Sequence, residues 1–242
     1  MVEPFRPSGA PEAGELALLV GGGGDLKRLG ETLPLVSPGE RIMMSHIRPE
    51  AADSPRFCAA GPMVGAPYAT MLLETLVARG VRRAVFVGWC GALSPNLSIG
   101  DLLVPEAALV DEGTSVGYGR LRDEPVAPDP ALSASLREAV ARRGRTPRRG
   151  AVWTTDAIYR ETPSKIRKFR DRGAVAVEME TSALFTVGRF RNISVAALLV
   201  VSDSLADFTW RPGFRDPRFQ SGRRLAREVL SEQCPKPSPP PK

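Results

Sequence analysis

The stretch ISVAALLVV (193–201) decides the fold. It carries no charge and hardly alternates polar with apolar residues, which is the pattern of a strand buried on both faces. Such a strand belongs to a sheet covered by helices on each side. Outward from it, apolar strand-length runs keep alternating with helical patterns. LALLV (16–20) is one such run, stopped by GGGG (21–24), after which Asp25–Leu29 can open a helix. Ala69–Arg79 has helical spacing with Gly80 as its stop. Ala84–Val87 reads as a buried strand ending in GWCG (88–91), and LLVPEAALV (102–110) as a further strand-rich segment. Asp129-Pro130 supplies an N-cap and an N1 proline for a helix to about Arg143, closed by Gly144. Ala174–Val177 reads as a short strand, Thr181–Val187 as a helix-like run, and Gly222–Glu232 as a last amphipathic helix. Residues 31–60 resist assignment because prolines 34, 38, 49 and 55 interrupt every period.

Alternation without a dividing linker predicts an α/β protein: a single-domain three-layer fold with a central mixed β-sheet flanked by helices. The 242 residues are enough for one sizeable core. The expected organisation is a flexible N-terminus over 1–15, the domain over 16–232 and a disordered proline-rich tail over 233–242.

Composition narrows the function classes. With 43% hydrophobic and 25% charged residues the chain is ordinary for a soluble globular protein, and no apolar run is long enough to span a bilayer. MVEPFRPSGAPEAGE lacks the apolar core of a secretory leader. Cys58, Cys90 and Cys234 lie far apart without metal-ligand spacing, which suits a reducing cytoplasm and points to no metal. The net charge of +6 peaks in RRGRTPRRG (142–150), but no aromatics interleave there. That stretch therefore reads as a solvated helix end and loop, and no nucleic-acid partner is expected. A basic surface that attracts anionic substrates also fits the charge.

Four places carry candidate chemistry, the first being GWCG (88–91), where a strand ends and a glycine-rich loop is expected to begin. AVEMETSALF (176–185) sets Glu178 and Glu180 around Met179 at a strand-to-helix junction, where a carboxylate is a helix cap or a ligand for hydroxyl groups. Ser202-Asp203 follows the long aliphatic strand, where an aspartate is an N-cap or a site residue at a strand's carboxyl end. The strand, GGGG and helix start over 16–29 form either an anion-binding turn, with main-chain N–H groups converging, or merely a flexible one.

Taken together, VGWCGALSPNLSIGDLLVP (87–105), DEGTS (111–115), TTDAIY (154–159), AVEMETSALF (176–185) and ALLVVSDSLAD (197–207) resemble the nucleoside phosphorylase family. That family includes purine nucleoside phosphorylase, uridine phosphorylase, and the methylthioadenosine phosphorylases and nucleosidases. The segments run in the family's order over more than half of the chain. The resemblance implies cleavage of an N-glycosidic bond through an oxocarbenium-like transition state, yielding free base and ribose 1-phosphate. It implies no cofactor beyond inorganic phosphate as co-substrate. Glu180 would bind the ribose hydroxyls, Met179 would pack on the sugar, and Glu178 would hold the neighbourhood or cap the helix. Asp203 would be the general acid toward N7 of a purine-type base, with Arg211 or Arg215 as its helper. Ile158 would replace a stacking phenylalanine in a base pocket shared with Trp89, Cys90 and Gly91. Gly24 and Arg28 match a Gly-Asp-x-x-Arg phosphate loop.

The pattern also breaks. Phosphorylases of the family place an arginine and a Ser/Thr where this chain has Phe86 and Trp89, so a nucleosidase using water and a catalytically silent nucleoside-binding protein stand as alternatives. The single histidine, His46, is not where relatives lend one to a neighbouring subunit, and a surface or core role is expected for it. The resemblance further implies a homo-oligomer, from dimer to hexamer, working on a small-molecule nucleoside in the cytoplasm.

Overall fold

A computed structural model describes residues 2–235. The expected tail over 233–242 therefore lies, from residue 236 onward, outside the described residues. The elements in chain order are β1 (Leu16–Val20), α1 (Gly23–Thr32), β2 (Glu40–Ile42), β3 (Ser45–Pro49), β4 (Phe57–Gly61), α2 (Ala66–Ala78), β5 (Arg83–Ala92) and β6 (Leu102–Asp111). Then come α3 (Gly113–Gly117), β7 (Pro125–Val126), α4 (Pro130–Arg142), β8 (Arg148–Thr155), α5 (Pro163–Asp171), β9 (Ala174–Glu178), α6 (Thr181–Phe190), β10 (Ser194–Ser204), β11 (Arg211–Pro212) and α7 (Pro217–Glu232).

The predicted mixed sheet with helices on both faces is what forms. β10 is its spine, parallel to β5 and antiparallel to β6. Its side chains alternate between two cores. Val195, Ala197, Leu199 and Val201 pack with Leu72 and Leu76 of α2 and Leu184 of α6. Ala196, Leu198 and Val200 pack with Leu29 of α1, Leu136 of α4 and Val229 of α7. Both sets are fully or almost fully buried, which is why the run shows no polar alternation. Each such leucine contributes about 1.5–3 kcal/mol by leaving water. A charge at Leu199 would break both the packing and the sheet beside the site.

The sheet also closes on itself. β6 continues through β8 to β9, and β9 returns to β5 by a short antiparallel contact at Gly91–Val177. β1, β4, β3 and β2 extend outward from β5. This closure draws the carboxyl ends of β5 and β10 and the end of β9 to one place.

Several boundaries differ from the sequence reading, each for a physical reason. The strand assigned to Ala84–Val87 runs on to Ala92, so GWCG is strand rather than loop. Its glycines are there for close approach, not for a turn. A Cβ on Gly91 would stand 2.9 Å from Asp203 Oδ2. Residues 40–61 form an antiparallel trio, β2–β3–β4. Their prolines sit at strand ends and between strands, where no ladder hydrogen bond is lost. Part of the basic stretch is the start of β8, with Arg148 bonded to Asp101 and Arg149 to Glu106, so these charges are paired rather than free. α4 starts as expected, with Asp129 Oδ1 accepting the Leu132 N–H at 2.8 Å. His46 lies half-buried in β3 with no partner for its Nδ1.

Candidate active site

Glu178 is the last residue of β9, and its carboxylate turns back onto the start of α6. It accepts the main-chain N–H groups of Glu180 and Thr181 at 2.8 and 2.7 Å, and the hydroxyls of Thr181 and Thr154 at 2.7 and 2.5 Å. Burial pushes its pKa up, and these four donors pull it back. The cap in the cap-or-ligand choice is therefore Glu178, which satisfies the orphan donors of α6.

Glu180 occupies the N-cap position of α6, but its side chain caps nothing. It points instead toward the turn before α2, where Gly65 N–H donates to Oε1 at 2.5 Å. Gly65 has φ of +83°, a conformation that a residue with a Cβ resists, so the turn that aims this donor depends on glycine. Burial, then the charge of Glu178, raises the Glu180 pKa to about 8. The main-chain donors of Gly65 and Met179 leave part of the acceptor capacity of the carboxylate unused.

Asp203 lies near the end of β10, just past an irregularity of register between Val201 and Asp203. Such a bulge re-aims side chains. Ser202 Oγ donates to its Oδ1 at 2.6 Å, and Trp210 Nε1 donates to its Oδ2 at 3.1 Å. The short β10–β11 hairpin, with Asp203 opposite Pro212, carries Trp210 into place.

These groups face one cavity of about 750 Å³. Its wall includes Glu178, Met179, Glu180 and Asp203, and also Ile158, Trp89, Cys90 and Gly91, so all eight residues expected at the sugar and base are brought together. Cys90 is buried, and desolvation keeps its thiol far from ionising. Trp89 packs edge-on against Phe219, with ring centroids 5.3 Å apart, and lies under the guanidinium of Arg223 at 5.0 Å.

The phosphate half differs. Gly24 and Arg28 are exposed and do not line the cavity, although Gly21 and Gly22 do. Asp25, between them, is buried and held by Arg223 and Arg227 of α7. No basic side chain lines the cavity among the described residues. The expected arginine helpers are not placed for the task either. Arg211 is bonded to Asp207, and Arg215 is exposed, whereas an indole supplies the donor to Asp203.

Three residues escaped the sequence reading. Gly65 gave no signal beyond being a glycine, and Trp210 was one exposed aromatic beyond a hairpin. Glu161, in the loop after the short turn Ile158–Arg160, lines the cavity, and burial followed by the charge of Asp203 raises its pKa to about 7. Among the described residues no group of three His, Cys, Asp or Glu side chains could hold a metal ion, and no helix is long and apolar enough to cross a membrane.

Comparison with known proteins gives the same direction throughout. A model of the family described as the phosphorylase superfamily matches residues 15–230. A DeoD-type purine nucleoside phosphorylase of Caldanaerobacter subterraneus subsp. tengcongensis is 30% identical over 152 residues, covering 62% of this chain and 65% of that protein. The chain thus spans just under two thirds of that relative's length. A guanosine phosphorylase of Halorubrum lacusprofundi is 26% identical over 194 residues, 79% of each chain. Among solved structures, a purine nucleoside phosphorylase from Toxoplasma gondii in complex with immucillin-H superposes with a TM-score of 0.79 at 19% identity, covering 90% of this chain and 89% of that one. A uridine phosphorylase from Vibrio fischeri gives 0.80 at 23% identity, covering 94% and 96%. These structural likenesses establish a shared fold.

Proposed function

The chain belongs to the phosphorylase superfamily, and from that premise we propose that it cleaves the N-glycosidic bond of a purine nucleoside, with inorganic phosphate as the acceptor. The observation that carries this reading is the pairing of Glu180 and Asp203 across one cavity. Glu180, once ionised, accepts hydrogen bonds from the ribose 2′- and 3′-hydroxyls, and Met179 lies along the sugar. The negative charge beside the ring favours the cation that develops as the bond from C1′ to N9 lengthens. Asp203, in its acid form, gives its proton to N7, so the bonding pair leaves on a neutral base. A phosphate oxygen forms the new bond to C1′, giving free base and ribose 1-phosphate. Cys90, Gly91, Trp89 and Ile158 form the base side of the cavity. Glu178 acts through the α6 cap that fixes Glu180.

Phosphate is taken at the start of α1. Gly24 and Arg28 are four residues apart on one helix face, and helical side chains lean toward the N-terminus, so Arg28 leans over the first turn. Gly24 has no side chain to obstruct it, and a Cβ there would stand 3.6 Å from Arg223 Nη2. Arg28 and Arg223, the latter paired with Asp25, therefore flank the N–H groups of that turn. Gly22, which lines the cavity, connects it to the rest of the site. That its relatives include a DeoD-type purine nucleoside phosphorylase and a guanosine phosphorylase favours phosphorolysis over hydrolysis. No cofactor enters this scheme. The working protein is a cytoplasmic homo-oligomer, a reading consistent with exposed Met43, Met44, Val64 and Met71.

The test is a nucleoside panel assayed with and without phosphate. Base release that requires phosphate and yields ribose 1-phosphate supports the reading. Free ribose formed without phosphate overturns phosphorolysis, and binding without any base release overturns catalysis.

A further inference from the structure

Asp203 and the Trp210 indole that donates to it are seven residues apart, so the path of the chain between them decides where the indole returns. Leu205 starts that path. Its N–H donates to Ala92 O at 2.8 Å, and its side chain is buried with Ile166 and Phe169 of α5. Phe208 N–H then donates to Leu205 O at 2.9 Å, closing a turn. Phe208 itself has φ of +63°, an outlier for a bulky side chain that persists only where its surroundings hold it. Its ring is 38% exposed, so burial alone does not account for it. α5 supplies the hold. Arg167 and Arg170, one turn apart on that helix, set their guanidiniums 4.6 and 5.5 Å from the centre of the Phe208 ring. Arg170 Nη1 also donates to Ala206 O at 3.0 Å. Arg167 makes no ion pair among the described residues, so the ring is its partner.

Resting on the proposed function, we infer that Phe208, clasped by Arg167 and Arg170, is a positioning residue: it fixes the Trp210 indole and, through it, the orientation of the Asp203 carboxyl for proton transfer. Ser202 and Trp210 hold the two oxygens of that carboxyl from opposite sides. Ser202 belongs to the rigid β10 strand, whereas Trp210 lies beyond the strand and reaches the carboxyl only if residues 205–209 keep their course. The Phe208 turn sets that course, and α5 locks the turn. Without the clasp the indole swings away, and the carboxyl keeps the Ser202 donor alone. A small misplacement of a proton donor lowers the rate of the chemical step without weakening substrate binding. α5 begins just after Ile158, Tyr159 and Glu161, which line the cavity, so the same helix ties that wall to the acid.

The experiment measures kcat and nucleoside KM, with phosphate present, in wild type, Phe208→Ala, Phe208→Tyr, Arg167→Gln, Trp210→Phe and the Phe208→Ala/Trp210→Phe double variant. Acrylamide quenching of Trp210 emission is read in parallel for wild type and Phe208→Ala, each as the difference from its Trp210→Phe counterpart. Phe208→Ala and Arg167→Gln are expected to lower kcat about three- to tenfold, no more than loss of the indole donor does, with KM little changed. Phe208→Tyr keeps the ring and should stay within about twofold of wild type. The double variant should turn over within about twofold of Trp210→Phe alone, because the clasp acts through the indole. Quenching of Trp210 should rise in Phe208→Ala. Unchanged kcat in Phe208→Ala, unchanged quenching, or losses that multiply in the double variant would overturn the inference while leaving the reaction intact. Raised quenching in Phe208→Ala beside a wild type that releases no base would overturn the proposed reaction and leave the clasp on the indole standing.

Discussion

Trp210 holds Asp203 by a hydrogen bond of 3.1 Å from its indole N–H to Oδ2, on the side of the carboxylate opposite Ser202. The indole is otherwise more than half exposed, so the sheet does not need it for packing. Its place in the hairpin makes it a positioning residue for the proposed acid. Asp203→Asn is expected to lower kcat by about 10²–10⁴, the usual weight of general acid catalysis. Trp210→Phe keeps the ring and removes the donor, and should lower kcat about tenfold with little change in KM for the nucleoside. Steady-state kinetics check both. Equal kcat in wild type and Trp210→Phe would remove the indole from the mechanism.

The two glutamates of VEMET should behave oppositely. Glu178→Gln leaves buried N–H and hydroxyl donors at the α6 start without enough acceptors, each costing about 1–3 kcal/mol. Its melting temperature should fall by several degrees at every pH. Glu180 has a folded pKa raised from 4.5 to about 8. Its favourable contribution is therefore fully present below about pH 4.5 and is lost as pH rises through about 8. Glu180→Gln removes that penalty, so the variant should melt roughly 2–6 °C above wild type at pH 8.5 and near wild type at pH 4.5, while losing activity. Thermal melts across pH settle the matter, and a Glu180→Gln variant less stable at pH 8.5 would contradict it.

How much of this was legible in the sequence depended on whether the signal was local. ISVAALLVV announced a doubly covered strand because burial on both faces writes itself into consecutive residues. The Asp129-Pro130 helix start was legible for the same reason. GWCG misled because a glycine that opens space for a neighbouring strand looks the same as one that turns the chain. Only β10, brought beside β5 by the fold, reveals that Gly91 makes room for Asp203. Glu180 and Asp203 stood out through motif resemblance, whereas Gly65, Trp210 and Glu161 act through tertiary placement across 115 residues in the Gly65–Glu180 case.

The pH dependence of turnover follows from the same carboxylate. Accepting both ribose hydroxyls requires Glu180 ionised, and its pKa near 8 places that ionisation on the alkaline side of neutrality. In wild type, kcat/KM for the nucleoside should rise with pH toward a limb near 8, since this parameter reports the free enzyme. The same limb should be missing from the residual activity of Glu180→Gln. A wild-type profile flat between pH 6.5 and 9 would show that Glu180 is not the group that must ionise.

Phosphate affinity should depend on the start of α1 and not on the cavity wall, because no basic residue lines that wall and the strand positions hold Phe86 and Trp89. Arg28→Gln removes one charged donor from the proposed anion site, a contact worth about 1.5–3 kcal/mol. KM for phosphate should rise about tenfold or more, while KM for the nucleoside changes little because Arg28 is outside the cavity. Trp89 packs on Phe219 beneath Arg223, so Trp89→Ser would uncover the guanidinium, which stays paired with Asp25, set a hydroxyl donor beside it and vacate space next to Gly22. That variant should bind phosphate more tightly even as its base side loosens. Saturation curves in phosphate at fixed nucleoside separate the two effects. Loss of nucleoside affinity in Arg28→Gln with phosphate KM unmoved would place the acceptor anion somewhere other than the α1 turn.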